Sequence, residues 1–423
     1  MKFIRTLLLF ACMMSLVNTN AQVKIDVELR PRFEYRHGFK ALFPNNVDPA
    51  AFVSQRARLK VYYKTTGYHF YLSLQDIRVW GDVPQLNTSD NSGLAIHQAW
   101  ARIELDTDFA LKLGRQEIIY DDSRIFGNVG WAQQARSHDV ALLQFSKKTS
   151  KLDFGFAFNQ DGESITGTIL TIPKTYKAFQ YAWYHKDWSH FSASFLFLNN
   201  GLQYIDVVNS DNNETRYSQT LGTHMKYGKG RLVLKGNFYY QFGNDVANND
   251  LNASLLGLDA SYKVSNNAAF GLGIEIQSGN DHGAPSNGEN KAFTPFYGTN
   301  HKFNGFMDYF YVGNHLNNVG LKDIYVNSNF KLNGKSALLL AYHNFSAQAD
   351  LLGTNKKRLG SELDIVYSHK LQKDIAFKMG YSHLFPSEGM EILKVNSDNN
   401  TNNWGWVMIT IKPTLFITKN KKR

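Results

Sequence analysis

From Val23 to Tyr35 every odd position is non-polar: Val23, Ile25, Val27, Leu29, Pro31, Phe33 and Tyr35. Every even position from Lys24 to Arg36 is charged: Lys24, Asp26, Glu28, Arg30, Arg32, Glu34 and Arg36. Strict period-two alternation predicts a β-strand whose two faces meet different media. The run is about 14 residues long, beyond the ~5–6 of an ordinary strand and past the ~9–11 that cross a bilayer obliquely. A second run places Val53, Ala57, Leu59, Val61 and Tyr63 on one face and Ser54, Arg56, Arg58, Lys60 and Lys64 on the other. Further runs follow, from Tyr68–Trp80, Ala95–Asp106 and Phe109–Tyr120 through to Asp374–Phe385 and Trp404–Phe416. The connections between them alternate long and short. The short ones carry turn formers, as in Tyr227-Gly228-Lys229-Gly230 and Asn333-Gly334. This rhythm predicts an all-β fold: a single transmembrane antiparallel β-barrel of about 18 strands over residues 22–423, with long external loops and short periplasmic turns. Both termini then lie on the periplasmic side. A plugged transporter would need an added domain and about 22 strands.

The same parity says where charge points. Arg or Lys facing lipid at the midplane costs about 2–4 kcal/mol, so the charged faces should line the lumen. Strand midpoints place Arg30, Arg58, Arg102 and Arg115 at one depth along one arc of wall. Arg56, Arg58 and Lys60 have no acid on their own strand and read as a cationic ridge, with partners left to neighbouring strands. The other reading is simple pairing of these cations with Asp26, Glu28, Glu34 and Glu104. Two stretches conflict with the rule. Arg115 and Glu117 share parity with Phe109, Leu111 and Leu113, which predicts a bulge at or next to Gly114 that turns both charges inward. Asp76 and Arg78 call for a similar slip between Leu74 and Ile77. Pro31 lacks a ladder donor, so local distortion is expected there. The longest connection, 279–322, holds Phe293, Phe296, Tyr297, Phe303, Phe306 and Tyr309; it is expected to pack on or into the barrel mouth.

Residues 1–21 read as a secretory signal peptide, with Lys2 and Arg5 ahead of an apolar Leu7–Val17 and a small-residue exit at Thr19-Asn20-Ala21. The single cysteine, Cys12, falls inside it, so the mature chain should hold no disulfide and no thiolate metal site. Without Lys2 and Arg5, the 46 basic residues fall to 44 against 36 acidic ones, a net charge of +8. An exported chain of this kind points away from nucleic acid and toward outer-membrane lipid and the barrel-insertion machinery as partners. Aromatics at 14% fit a membrane barrel. No cofactor is implied. Ser368-His369 and Ser382-His383 are sequence neighbours whose side chains point to opposite faces, which disfavours a hydrolase. The 13 histidines are scattered, without zinc spacing.

With these motifs in view, the chain resembles the alginate-export family of outer-membrane porins. The match lies in Leu113-Gly114-Arg115-Gln116, then Tyr120-Asp121-Asp122 and Gly130-Trp131, supported by Arg30-Pro31-Arg32-Phe33-Glu34-Tyr35 and Ser54-Gln55-Arg56-Ala57-Arg58-Leu59. The resemblance implies an 18-stranded barrel whose arginine- and lysine-lined lumen passes an acidic polysaccharide through an electropositive constriction. It assigns Arg115, Asp121 and Asp122 to that constriction, with Arg56 and Arg58. Glu117 and Ile118 depart from the family's basic character, and the tail beyond Phe416 departs from its aromatic ending. The expected function is therefore a passive outer-membrane channel for an anionic poly- or oligosaccharide, alginate-like, or for a small organic anion. Its expected path residues are Arg30, Arg32, Arg56, Arg58, Lys60, Arg102, Arg115, Glu117, Asp121, Asp122 and Arg124. The alternatives are a general or substrate-selective porin for small solutes and, less favoured, an outer-membrane hydrolase.

Overall fold

The structure, a computed structural model, describes residues 21–86, 93–283, 287–315, 319–396 and 399–418. The stretch that reads as an export signal lies outside the described residues, apart from Ala21. The wall begins with β1 (Gln22–His37), β2 (Ala50–Lys64), β3 (Tyr68–Val79), β4 (Ala95–Glu104), β5 (Phe109–Gln116) and β6 (His138–Lys147). It continues with β7 (Ser150–Phe158), β8 (Ala178–Asp187), β9 (Phe191–Tyr204), β10 (Glu214–Lys229), β11 (Leu232–Gly243) and β12 (Ala253–Lys263). It ends with β13 (Ala268–Gln277), β14 (Leu321–Lys331), β15 (Ser336–Ser346), β16 (Arg358–Gln372), β17 (Ile375–Pro386) and β18 (Asn402–Ile411, resuming at Thr414–Ile417). Each strand pairs antiparallel with the next, and β18 pairs with β1, so the described residues form a closed barrel of 18 strands. No helix among them is long and apolar enough to cross a membrane.

Exposure decides which face is which. On β1, Leu29 and Phe33 are 38% and 43% exposed, whereas Arg30 and Glu34 are 6% and 1% exposed. The apolar face is thus the outer one, facing lipid, and the charged face points into the lumen, as the alternation predicts. The ladder between β1 and β18 lapses at Arg30 and Pro31 and resumes at Arg32, the distortion expected of a proline in a wall without a free edge.

Two register expectations are corrected. No bulge forms at Gly114: β5 pairs with β4 and β6 without a shift. Gly114 instead takes φ +114°, and a Cβ there would lie 2.3 Å from the Ala99 carbonyl oxygen. Arg115 therefore stays on the outer face and pairs with Asp139 at 2.7 Å. Asp76 and Arg78 also stay outside, paired with each other at 2.7 Å, because β2 and β3 keep one register throughout. Both pairs sit near the long-loop ends of their strands, where the cost of charge falls to about 0–1 kcal/mol as hydrocarbon gives way to headgroups. The slip occurs on β4 instead. Ser73 pairs with Gln98 and Leu74 with Ile96, leaving His97 as the extra residue, buried on the luminal side.

The lumen is crossed by two inward-folded loops. The 117–137 loop buries Ile118, Ile125 and Phe126 against Phe179 and Tyr181 of β8. The long 279–322 connection seats Met307, Tyr309 and Phe310 in a second apolar cluster with Leu359, Trp404 and Trp406, as its aromatic content predicts. The loops are joined to each other: Gly127 N donates to Tyr297 O at 2.9 Å and Thr299 N to Ser123 O at 2.9 Å. Together they form a platform across the barrel.

Candidate functional site

The platform meets the wall on the luminal face of β1 and β2, where the arginine rows end on its backbone. Arg30 donates from Nη1 to Gly130 O at 2.7 Å and from Nε to the Gln133 side chain at 3.0 Å. Arg32 Nη1 donates to Trp131 O at 2.7 Å. Arg56 Nη1 reaches Gln133 O at 3.1 Å, and its Nη2 pairs with Glu28 of the adjacent strand. Lys60 and Lys412 approach the other oxygen of Glu28 at 3.1 and 3.4 Å. The ridge with no acid on its own strand thus draws one from its neighbour. Arg58 is the exception. Its Nε donates to Gln75 at 2.9 Å, and no carboxylate pairs with it among the described residues.

Below the platform, on the short-turn side, Arg58 borders a cavity of about 640 Å³. Six cations line it, Arg30, Arg56, Arg58, Lys60, Lys112 and Lys412, against three acids, Glu28, Glu117 and Asp153. Glu117 turns inward as expected, because the strand ends one residue earlier. It contacts His97 Nε2 at 2.8 Å and accepts from Asn128 at 3.0 Å. Burial pushes its carboxyl up, but the hydrogen bonds from His97 and Asn128 outweigh that and hold it below its usual range. Above the platform, Arg32 lies 4.0 Å over the Trp131 ring, which also stacks with His301 at 4.7 Å and packs edge-on against Trp404 and Trp406. This stack borders an outer basin of about 420 Å³ that also includes Arg36 and Lys40.

The remaining sequence candidates lie elsewhere. Asp121 accepts from Trp183 Nε1 at 3.1 Å and from Ser194, and burial raises its carboxyl above the usual range despite them. Asp122 accepts from Asn237 at 2.6 Å. Arg124 is 1% exposed and pairs with Glu275 on β13. These three brace the loop on the wall opposite the arginines. Arg102 faces the lumen, but two residues from the end of β4 rather than at mid-depth, bonded to Gln144 at 3.2 Å and to Glu104. Arg115, on the outer face, lines no part of the lumen.

Residues missed from the sequence include Gln133, Lys112, Lys412 and Asp153. The parity of β5 and β7 carries a signal for Lys112 and Asp153; nothing local marks Gln133. One further constellation has a catalytic look: Ser194 lies 2.7 Å from His185 Nδ1, and His185 Nε2 lies 3.2 Å from Asp187. Ser194 is 1% exposed and its hydroxyl donates a hydrogen bond to Asp121, so it has neither a free hydroxyl nor access to a substrate.

Comparison with known proteins agrees with this geometry. A family model described as Alginate export matches residues 21–400. No curated protein matches the chain. Similar solved structures include OccAB4 of Acinetobacter baumannii, 13% identical, TM-score 0.63, covering 93% of this chain and 98% of that one. The BenF-like porin of Pseudomonas fluorescens is 13% identical with TM-score 0.62, over 93% and 99% of the two chains. OpdK of Pseudomonas aeruginosa, solved with vanillate, is 12% identical with TM-score 0.60, over 93% and 98%. At these identities the likeness shows the fold.

Proposed function

The chain belongs to the alginate export family and forms a bacterial outer-membrane channel for solutes; from that premise we propose that it passes anions, either an acidic oligo- or polysaccharide or a small organic carboxylate. The observation that carries this reading is the chamber beneath Arg58, lined by six cations against three acids. Guanidinium groups offer planar, charge-assisted hydrogen bonds to carboxylates. Glu28 and Glu117 among them keep such binding weak enough for release, which conduction requires. Passage is passive, since the mechanism needs only a field and exchangeable hydrogen bonds. The small-carboxylate form has its own support in the vanillate named for OpdK. Purified protein in planar bilayers tests the proposal by competition. Galacturonate or benzoate added to a chloride solution should reduce chloride current in a saturable way. Currents indifferent to both acids would end it.

A further inference from the structure

Across the lumen from the arginines, β11 to β15 border a second chamber of about 440 Å³ beneath the same platform. Consecutive loop residues separate the two spaces, with Tyr120 lining the first and Asp122 the second. The walls differ in chemistry. Tyr325 on β14 stands opposite Gly273 on β13, where a Cβ would lie 2.4 Å from the ring. The missing side chain leaves room for the ring over the β13 backbone, where it lines the chamber beside His343, with ring centroids 5.3 Å apart, and its hydroxyl donates to Asp259 at 3.4 Å. Asn327 packs over Gly271 in the same way. The ions here are already held: Lys235 by Asp259 at 3.3 Å, His343 by Asp323 at 2.9 Å, Arg124 by Glu275, Lys302 by the Asp122 backbone carbonyl at 2.7 Å, and the Asp122 carboxylate by Asn237 at 2.6 Å. By contrast, the amides of Asn327 and Asn329 line the chamber with no hydrogen-bond partner among the described residues.

A carboxylate or an ammonium would need a surplus of opposite charge, and this site sets four acids, Asp122, Asp259, Glu275 and Asp323, against Lys235, Lys302, Arg124 and His343, each already held by a partner. Free amides both donate and accept, which suits hydroxyls, and a flat aromatic ring suits the apolar face of a pyranose. We propose that this second chamber binds the uncharged, hydroxyl-bearing face of a saccharide. The proposal deepens the channel reading above, since of the two solute classes named there only a saccharide has such a face; it rests on the channel but not on anion preference.

Ion current through the full-length protein in planar bilayers tests it, with maltohexaose as the neutral probe. Wild type should show saturable block. Tyr325→Ala and Asn327→Ala should raise the half-blocking concentration by about fivefold or more, while Tyr325→Phe, which keeps the ring, stays close to wild type. Arg58→Ala should leave this block in place and shift the reversal potential in a salt gradient, so failure of the anion reading shows up separately. Three results would overturn the proposal: no saturable block of wild type, the same half-blocking concentration in Tyr325→Ala, or equal block by a polyethylene glycol of matched mass. Block by spermidine in place of maltohexaose would also overturn it, by making the chamber a cation site.

Discussion

Arg30 and Arg56 stand directly opposite each other on β1 and β2, and both guanidinium groups end on the same four-residue stretch of loop, Gly130 to Gln133. Like charges opposed across a ladder repel, and buried charge without partners is costly. Glu28 and the loop carbonyls supply those partners, so the wall and the loop are stable in this form only together. The loop also takes up donors of Arg30 and Arg56, which leaves Arg58, with no carboxylate partner among the described residues, as the guanidinium that a passing carboxylate would meet.

Gln133 is the point of attachment most open to test. Its side-chain oxygen accepts from Arg30, and its nitrogen donates to Ser54 at 3.0 Å. Gln133→Ala leaves buried donors unsatisfied at a cost of about 1–3 kcal/mol. Single-channel records should show larger or noisier conductance than wild type. Identical records would mean that the loop is held elsewhere.

Arg124 braces the platform from the far side. Arg124→Ala strands Glu275 as a buried, uncompensated charge, at a cost of about 3–5 kcal/mol. The double variant Arg124→Met with Glu275→Gln should recover most of it in urea unfolding from lipid vesicles.

Gly114 and Arg115 are neighbours with opposite expected sensitivity. Gly114→Ala forces a side chain into a left-handed backbone against Ala99 O, a strain of about 1–3 kcal/mol. Arg115→Ala removes only an exposed ion pair, about 0–1 kcal/mol, and leaves ion selectivity untouched. The same unfolding assay ranks the two.

Leu221, 52% exposed near the middle of β10, faces lipid. Leu221→Arg should destabilise the inserted barrel by about 2–4 kcal/mol, read as a lower urea midpoint and poorer insertion into vesicles.

The wall was legible in the sequence because lipid and water impose opposite demands on alternate residues, most plainly along β1 and β2. The inward path of the long loop was legible from its aromatics. The inward fold of the 117–137 loop was not anticipated, although Ile118, Ile119, Ile125 and Phe126 are an apolar load that an external loop has little reason to carry. Arg115, Asp76 and Arg78 were misplaced because a midplane cost was applied to strand ends, where an ion pair suffices. The link between Arg56 and Glu28 depends on the pairing register, and that from Arg30 to Gln133 on a contact 103 residues apart in sequence. Neither leaves a local pattern to read.

The reversal potential of purified protein across a potassium chloride gradient bears most directly on the anion path. Wild type should favour chloride, and Arg58→Ala should bring the potential toward zero while Arg115→Ala leaves it where it was. A wild-type channel that favours potassium, or an Arg58→Ala potential equal to that of wild type, would overturn the assignment of the arginine wall as the route.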